Sequence, residues 1–339
     1  MPAPTSENRP HAERAAAGLA ALEALPRLGF AATPTAVTEL AALAAPLGLP
    51  WLGVKRDDLC TPLGGGSKVR KLDYVLATPR YADAARWATV GAIGSGHLVA
   101  TGQAALLLQR EVVFEIFDEP LSADVLQNLA FSASGPPWAA PGERRYHRSR
   151  VAMALRAPGV LLADTHRGGA VLPPGATTPR AMLGLVRGGL ELAAQVAAGL
   201  LPTPSHVYVA IGSGGTAVGL AHGLALGGLG ATVVVAVRAV EAVFMGRGRL
   251  RALQRGLARE LAALGLKDAA AVTPCAIVLA NGVRDLVMLG YYQLPQTHRA
   301  LGYLGPMVPA QPRPLRDVDA AMVAAAGVLP TFAAVGGQR

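Results

Sequence analysis

Short runs of β-branched residues alternate along the chain with longer runs rich in alanine and leucine. Val69, Leu72, Val75 and Leu76 have the spacing of one helix face, which predicts a helix over residues 68–79. The same patterns predict strands at 51–57, 87–94, 111–119, 206–212 and 231–240, and helices at 97–110, 181–201, 216–226 and 249–265. This alternation predicts an α/β fold whose parallel sheets are covered by helices.

Residues 205–237 carry no formal charge and are longer than a membrane-spanning helix requires. The sequences GSGG and GGLG interrupt this stretch, and glycine runs of this kind mark turns. We therefore expect a strand, a glycine loop, a helix, a turn and a second strand here, and no membrane partner.

Composition narrows the class of ligand. The chain has 339 residues, of which 52% are hydrophobic and 16% are charged, so it can bury a large core. The net charge is +9, but the arginines are scattered and the densest basic run, residues 142–150, is short. A nucleic-acid surface would need a basic stripe or a known module, so we expect a small anionic ligand and no nucleic acid.

The two cysteines, Cys60 and Cys275, are too few for a disulfide framework or a four-cysteine zinc site. They fit a reducing compartment. The N-terminal residues also lack the basic stretch followed by an apolar stretch that marks a signal peptide. We expect a cytoplasmic protein without a metal site.

A glycine loop lies between a predicted strand and a predicted helix. Its residues are Gly212, Ser213, Gly214, Gly215 and Thr216. Small residues let backbone N–H groups point into one concavity, where the helix dipole favours an anion and the Thr216 hydroxyl adds a donor. The loop predicts a site for one phosphate group, which a side chain at Gly214 would crowd; a plain turn is the alternative.

Lysine is scarce in this chain: there are four, and Lys55, Lys68 and Lys71 lie close together in sequence. Lys68 follows three glycines at the predicted start of a helix, where the helix dipole and burial would favour the neutral amine. A neutral amine attacks an aldehyde, and arginine cannot replace it in that role. We predict covalent chemistry at Lys68, with a solvated helix-end lysine as the alternative, and interpret Lys55 and Lys71 as structural charges.

A second turn between a strand and a helix contains Ser95. Its hydroxyl, with the N–H groups of Gly96 and His97, would hold a carboxylate; a helix N-cap is the alternative. An aldehyde-reactive lysine, a phosphate loop and a carboxylate-binding turn together predict pyridoxal 5′-phosphate as cofactor and a small amino acid as substrate.

Three stretches resemble one known family. KRDDLCTPLGGGSKVRKLDYVLA (55–77) is similar to the KRDDL…GGNKxRKLE signature of the 1-aminocyclopropane-1-carboxylate deaminase/D-cysteine desulfhydrase family. TVGAIGSGHLVATGQAA (89–105) resembles its GxxxSNHxxxTxxxA turn, and residues 191–226 resemble its phosphate-loop region. The resemblance extends from about residue 33 to about residue 240.

The resemblance implies a pyridoxal-phosphate enzyme of fold type II, the tryptophan synthase β-like fold, with two α/β domains and twisted parallel sheets. It implies that Lys68 forms the Schiff base, that Gly212–Thr216 bind the phosphate and that Ser95 contacts the substrate. We expect residues 1–79 and 171–339 to form the large domain and residues 80–170 a smaller inserted one. We also expect a homodimer.

The chain departs from the family pattern at several positions. Ser67 and Gly96 stand where the family has asparagine. In one register of the C-terminal motifs, Phe332 replaces an active-site tyrosine and Ala333 replaces the polar residue after it. A second register places the final VGG on the family's last strand motif, and neither supplies a recognisable partner for the pyridine nitrogen.

These observations lead to three hypotheses. The first is a deaminase or lyase that acts on a small amino acid, as D-cysteine desulfhydrase or 1-aminocyclopropane-1-carboxylate deaminase does, and releases ammonia and a keto acid. The second is a homologue that binds the cofactor or an amino acid with little or no turnover, which the departures favour. The third is an α/β protein that binds a phosphate ligand without pyridoxal phosphate.

Overall fold

A computed structural model describes residues 9–60, 66–118, 125–126, 128–129, 142–166, 168–238 and 245–280. The helices within these ranges are α1 Arg9–Glu23, α2 Ala41–Ala44, α3 Ser67–Val75, α4 Pro79–Ala82, α5 Gly96–Leu107, α6 Arg150–His166, α7 Pro179–Ala197, α8 Gly215–Leu226, α9 Arg247–Ala263 and α10 Lys267–Ala271. The strands are β1 Val37–Glu39, β2 Gly53–Lys55, β3 Arg86–Ala92, β4 Glu111–Phe117, β5 Arg144–His147, β6 Ala170–Val171, β7 His206–Ile211, β8 Val233–Arg238 and β9 Ile277–Ala280.

The alternating pattern of the sequence is confirmed as alternating strands and helices. The uncharged stretch forms β7, the glycine loop, α8 and β8, as expected. In the part of the chain that the structure describes, no helix is both long and apolar enough to cross a membrane. The strand predicted at 51–57 is reduced to three residues of β2, which within the described ranges pair with the equally short β1 and with no other strand.

The chain divides into two compact units. Among the described residues, the first comprises 9–60, 69–78 and those within 176–280, and the second comprises 66–68 and those within 79–175. Helix α3 therefore begins in the second unit and continues in the first.

The second unit contains a parallel sheet with the strand order β5-β4-β3-β6. Helices α5 and α6 pack on β3 and β4, the two central strands. These strands bury Trp87, Phe114 and Ile116, as expected for parallel strands that are covered on both faces. The chain leaves the carboxyl end of β3 and enters α5 through the turn that contains Ser95.

The first unit contains a parallel sheet with the strand order β7-β8-β9 and the antiparallel pair β1-β2. Helix α8 packs on this sheet, and α7 packs against α8, α1 and α9. Leu183, Val186 and Leu190 on α7 form its core together with Val218 and Leu224 on α8. This packing places the beginnings of α7 and α8 near the buried side of α3.

Candidate active site

The glycine loop has the geometry of an anion-binding turn. Strand β7 ends at Ile211 and helix α8 begins at Gly215, so three residues connect them. Gly214 has φ +85°, in the left-handed region that glycine adopts at little cost. The first N–H groups of α8 and the positive end of its dipole therefore lie at the carboxyl end of β7.

A lysine and two hydroxyls meet at this loop. The Lys71 side chain is fully buried, and its Nζ donates to Thr177 Oγ1 at 3.0 Å. Thr177 Oγ1 lies 2.6 Å from Ser213 Oγ in the loop. The arrangement brings one lysine amine and two hydroxyl groups to the N-terminus of α8.

Gly215 tests whether a phosphate group fits here. A Cβ at this position would lie 2.8 Å from Thr177 Cγ2 and 3.2 Å from Lys71 Nζ, so any side chain would fill the space between the loop and these groups. A helix N-terminus, an ammonium and hydroxyl donors are the groups that bind phosphate dianions. These residues fit the phosphate of pyridoxal 5′-phosphate.

Lys71 and Thr177 are functional candidates that sequence reasoning missed. We interpreted Lys71 as a structural charge, although its distance of three residues from Lys68 puts both on neighbouring parts of one helix surface. Thr177 is 106 residues from Lys71 and gives no local signal, because only the packing of the first unit brings the two together.

Lys68 lies in the first turn of α3, and its side chain is half-buried. The start of the helix at Ser67 confirms the predicted position of this lysine at a helix N-terminus. Gly66, immediately before the helix, has φ +48°, which explains glycine there. Gly64 and Gly65 lie outside the described residues, and the covalent role of Lys68 stays a prediction.

The turn at Ser95 also joins a strand to a helix. Strand β3 ends at Ala92 and α5 begins at Gly96, with Ser95 in the N-cap position. The Ser95 side chain makes no capping hydrogen bond to the helix, so the simple N-cap interpretation does not account for it. The first N–H groups of α5, including those of Gly96 and His97, lie at the same turn, where we predict the substrate carboxylate.

The imidazole of His97 is buried next to this turn. Its Nε2 lies 2.8 Å from Thr89 Oγ1, and its Nδ1 lies 3.3 Å from Thr101 Oγ1. The Thr89 hydroxyl donates to the carbonyl of Leu172 at 2.9 Å, so it must accept from Nε2–H. Both ring nitrogens are therefore already hydrogen-bonded. The substrate contact that we predict for His97 is accordingly made by its backbone N–H.

Neither cysteine is suited to nucleophilic chemistry. Both are free and buried. Burial raises the pKa of the Cys60 thiol to about 12 and also raises the pKa of Cys275. Both thiols stay protonated at neutral pH, and the thiolate is the reactive form.

Some departures from the family pattern lie among the described residues and others lie outside them. Gly96 is described and begins α5, where it offers a backbone N–H and no side chain. Phe332, Ala333 and the final VGG lie outside the described residues.

A side chain at Gly214 is expected to crowd the phosphate, and this stays a prediction. A Cβ there would also lie 3.0 Å from Leu253 Cδ1 and from the Met245 thioether. A larger residue at Gly214 would therefore strain the backbone and the packing of α9. A Cβ at Gly215 instead meets Thr177 and Lys71, so Gly215 is the better position at which to test for a phosphate site.

We expect Gly215→Ala to weaken the binding of pyridoxal 5′-phosphate about tenfold, because Thr177 and Lys71 must move to accommodate the new methyl group. An absorbance titration measures the change. Gly230→Ala is the control, because a Cβ at Gly230 meets nothing within 4 Å. Equal affinity in the two variants would mean that the cofactor phosphate binds elsewhere.

Comparison with known proteins places this site in a family. No family model matches the chain. The chain is 35% identical to nocardicin C-9′ epimerase from Nocardia uniformis subsp. tsuyamanensis over 259 residues, which is 74% of this chain and 73% of the epimerase. It is 30% identical to D-cysteine desulfhydrase from Yersinia pestis (strain Pestoides F) over 60% of this chain and 61% of the desulfhydrase.

A solved structure shows the same fold. The crystal structure of a 1-aminocyclopropane-1-carboxylate (ACC) deaminase homologue superimposes with a TM-score of 0.62 at 24% identity, covering 81% of this chain and 83% of the homologue. The predicted fold, type II of the pyridoxal-phosphate enzymes, is confirmed. The chain belongs to the 1-aminocyclopropane-1-carboxylate deaminase/D-cysteine desulfhydrase family of pyridoxal-phosphate-dependent enzymes.

Proposed function

We propose that this enzyme is a deaminase or lyase that acts on D-cysteine, 1-aminocyclopropane-1-carboxylate or a similar small amino acid, and releases ammonia and a keto acid. The observation that carries the proposal is the meeting of Lys71, Thr177 and Ser213 at the N-terminus of α8. Its support is the similarity to a relative named D-cysteine desulfhydrase.

The first unit supplies the binding groups for the phosphate. The Lys71 amine, the Ser213 and Thr177 hydroxyls and the N–H groups of Gly215 and Thr216 would hold the phosphate. When bound, pyridoxal phosphate supplies an electron sink for the bonds at the amino acid α-carbon. Burial of Lys71 keeps water from competing for this anion.

Lys68 and the Ser95 turn act on the substrate. Lys68 would hold the cofactor through its Nζ, and its amine would take a proton from the substrate, which for D-cysteine is the α-proton. The Ser95 hydroxyl and the N–H groups of Gly96 and His97 hold the substrate carboxylate. Thr89 and Thr101 fix the His97 ring and so keep the first turn of α5 in place.

Epimerisation is a second candidate, favoured by the 35% identity to nocardicin C-9′ epimerase over 74% of this chain. Cleavage of D-cysteine and epimerisation both begin with removal of the α-proton, whereas the α-carbon of 1-aminocyclopropane-1-carboxylate carries no hydrogen. An epimerase returns a proton to the opposite face, whereas a deaminase or lyase breaks a second bond. Binding without turnover is not favoured, because these relatives are named for catalysis.

Reaction products distinguish these candidates. In D₂O with D-cysteine we expect one pyruvate, one ammonia and one sulfide for each amino acid and water consumed; the cyclopropane substrate should give 2-oxobutanoate and ammonia. Keto-acid assays and proton NMR measure these products and deuterium at the α-carbon. An inverted, deuterated amino acid without keto acid would identify an epimerase, and a loaded protein without exchange or product would contradict both activities.

The homodimer, the cytoplasmic location and the predicted domain boundaries stay predictions.

A further inference from the structure

The KRDD sequence, residues 55–58, contributes no group to the site described above. The side chains of Lys55 and Asp57 instead lie with those of Arg70 and Glu191 in the interior of the first unit. We call these four residues the Arg70 cluster.

Arg70 is the centre of the cluster and is 1% exposed. Its Nη1 and Nη2 donate to the two carboxylate oxygens of Glu191 at 3.0 and 2.9 Å. Its Nε and Nη2 donate to the two oxygens of Asp57 at 3.0 and 2.8 Å. One guanidinium therefore binds two carboxylates in the forked geometry that only arginine provides.

Lys55 contributes the second cation of the cluster. Its Nζ lies 3.4 Å from Glu191 Oε2 and donates to the carbonyl of Thr35 at 2.9 Å and to Gln195 Oε1 at 3.1 Å. The two cations of the cluster thus face its two anions, and Arg187 Nε on α7 lies a further 3.5 Å from Glu191 Oε1. Burial opposes the charge on Arg70, but its bonds to Glu191 and Asp57 outweigh burial and raise its pKa.

The cluster holds helix α3 at the residue before Lys71. The Arg70 side chain joins α3 to Glu191 on α7, and the Arg70 carbonyl lies so close to α7 that a Cβ on Gly184 would be 1.8 Å from it. These two contacts fix both the rotation of α3 and its distance from α7. The direction of the Lys71 side chain follows from that rotation, because neighbouring residues are about 100° apart around a helix.

We propose that the Arg70 cluster positions Lys71 for the cofactor phosphate by fixing the rotation of α3. Stability alone does not require such a cluster, because well-packed apolar residues often replace buried ion pairs at no cost. A fixed direction of the Lys71 side chain does require it, since this side chain must reach both Thr177 and the glycine loop. The inference rests on the function proposed above and makes Arg70 and Glu191 positioning residues.

The contribution of the phosphate to binding tests this role. We would titrate the cofactor-free full chain with pyridoxal 5′-phosphate and with pyridoxal, and take the ratio of the two Kd values. In Glu191→Gln, which keeps the size of the side chain and removes its charge, we expect pyridoxal phosphate to lose about tenfold in affinity and pyridoxal to lose much less. Asp57→Asn should change the ratio in the same direction by less, because the Asp57 side chain is 27% exposed.

Asp73→Asn is the matched control. Asp73 lies on the same helix, has a 3% exposed side chain and accepts from the N–H of Phe30 at 2.8 Å. Its bonds hold the segment before β1 to α3 and do not connect α3 with α7. We expect this variant to keep the wild-type ratio even if its free energy of unfolding falls.

The outcomes separate this inference from the proposed function. A wild-type ratio in both Glu191→Gln and Asp57→Asn, or an equal loss in Asp73→Asn, would overturn the positioning role alone. If the wild-type protein binds both compounds equally, the phosphate site of the proposed function fails, and the positioning role fails with it. If Glu191→Gln does not fold, the Asp57→Asn ratio decides.

Discussion

Lys68→Arg is expected to lose covalent attachment of pyridoxal phosphate and at least about a thousandfold in kcat/KM. Arginine keeps the positive charge and most of the length of lysine, but its guanidinium cannot form the covalent bond to an aldehyde. The position in the first turn of α3 and the half-buried side chain are compatible with either residue. The loss would therefore reflect chemistry and not folding.

Borohydride reduction followed by peptide mapping checks this result directly. The pyridoxyl adduct should lie on Lys68 in the wild-type protein and should disappear in Lys68→Arg. The control is Lys267→Arg, because Lys267 is exposed and is also the first residue of a helix, α10. An adduct on Lys55, Lys71 or Lys267 would disprove the assignment.

Lys71 is the strongest competitor for the covalent role, since it is fully buried and lies at the glycine loop. Its Nζ, however, is occupied at the phosphate end by Thr177. The aldehyde and the phosphate are separate groups of the cofactor, so one ammonium cannot serve both. We therefore expect Lys68 to bind the aldehyde and Lys71 to bind the phosphate.

What the sequence predicts well is local. The glycine loop and the Ser95 turn are each made by residues that are adjacent in the chain, so a strand pattern, small residues and a helix pattern suffice to locate them. The position of Lys68 at the start of α3 follows from the same kind of signal. The charge of Lys55 was also interpreted as structural, and the structure places it in the Arg70 cluster.

The features that the sequence could not predict depend on contacts between residues that are far apart in the chain. Arg70 and Glu191 are 121 residues apart, and neither one alone indicates the other. The phosphate role proposed for Lys71 could not be predicted for the same reason, because Thr177 reaches it only through the packing of α3 near the beginning of α7. The surroundings of Gly214 likewise come from α9 and are not visible in the loop sequence.

Gly184→Ala is expected to lower the free energy of unfolding by about 3 kcal/mol or more. An added methyl group would lie 1.8 Å from the carbonyl oxygen of Arg70, well inside van der Waals contact, and both partners are helix backbone. The strain can be relieved only if α3 and α7 separate. That separation would also weaken the bonds between Arg70 and Glu191, so cofactor affinity should fall together with stability.

Gly188→Ala, one turn further along α7, is the matched control for this effect. A Cβ at Gly188 would meet its nearest neighbour, Leu220 Cδ2, at 3.7 Å, which is an ordinary contact. Because alanine favours a helix interior over glycine by about 1 kcal/mol, this variant should be as stable as the wild-type protein or more stable. Denaturant unfolding of both variants measures the difference. If Gly184→Ala is as stable as Gly188→Ala, then α3 and α7 do not approach as closely as the structure places them. The proposal that the contact between α3 and α7 fixes the direction of Lys71 then loses its support.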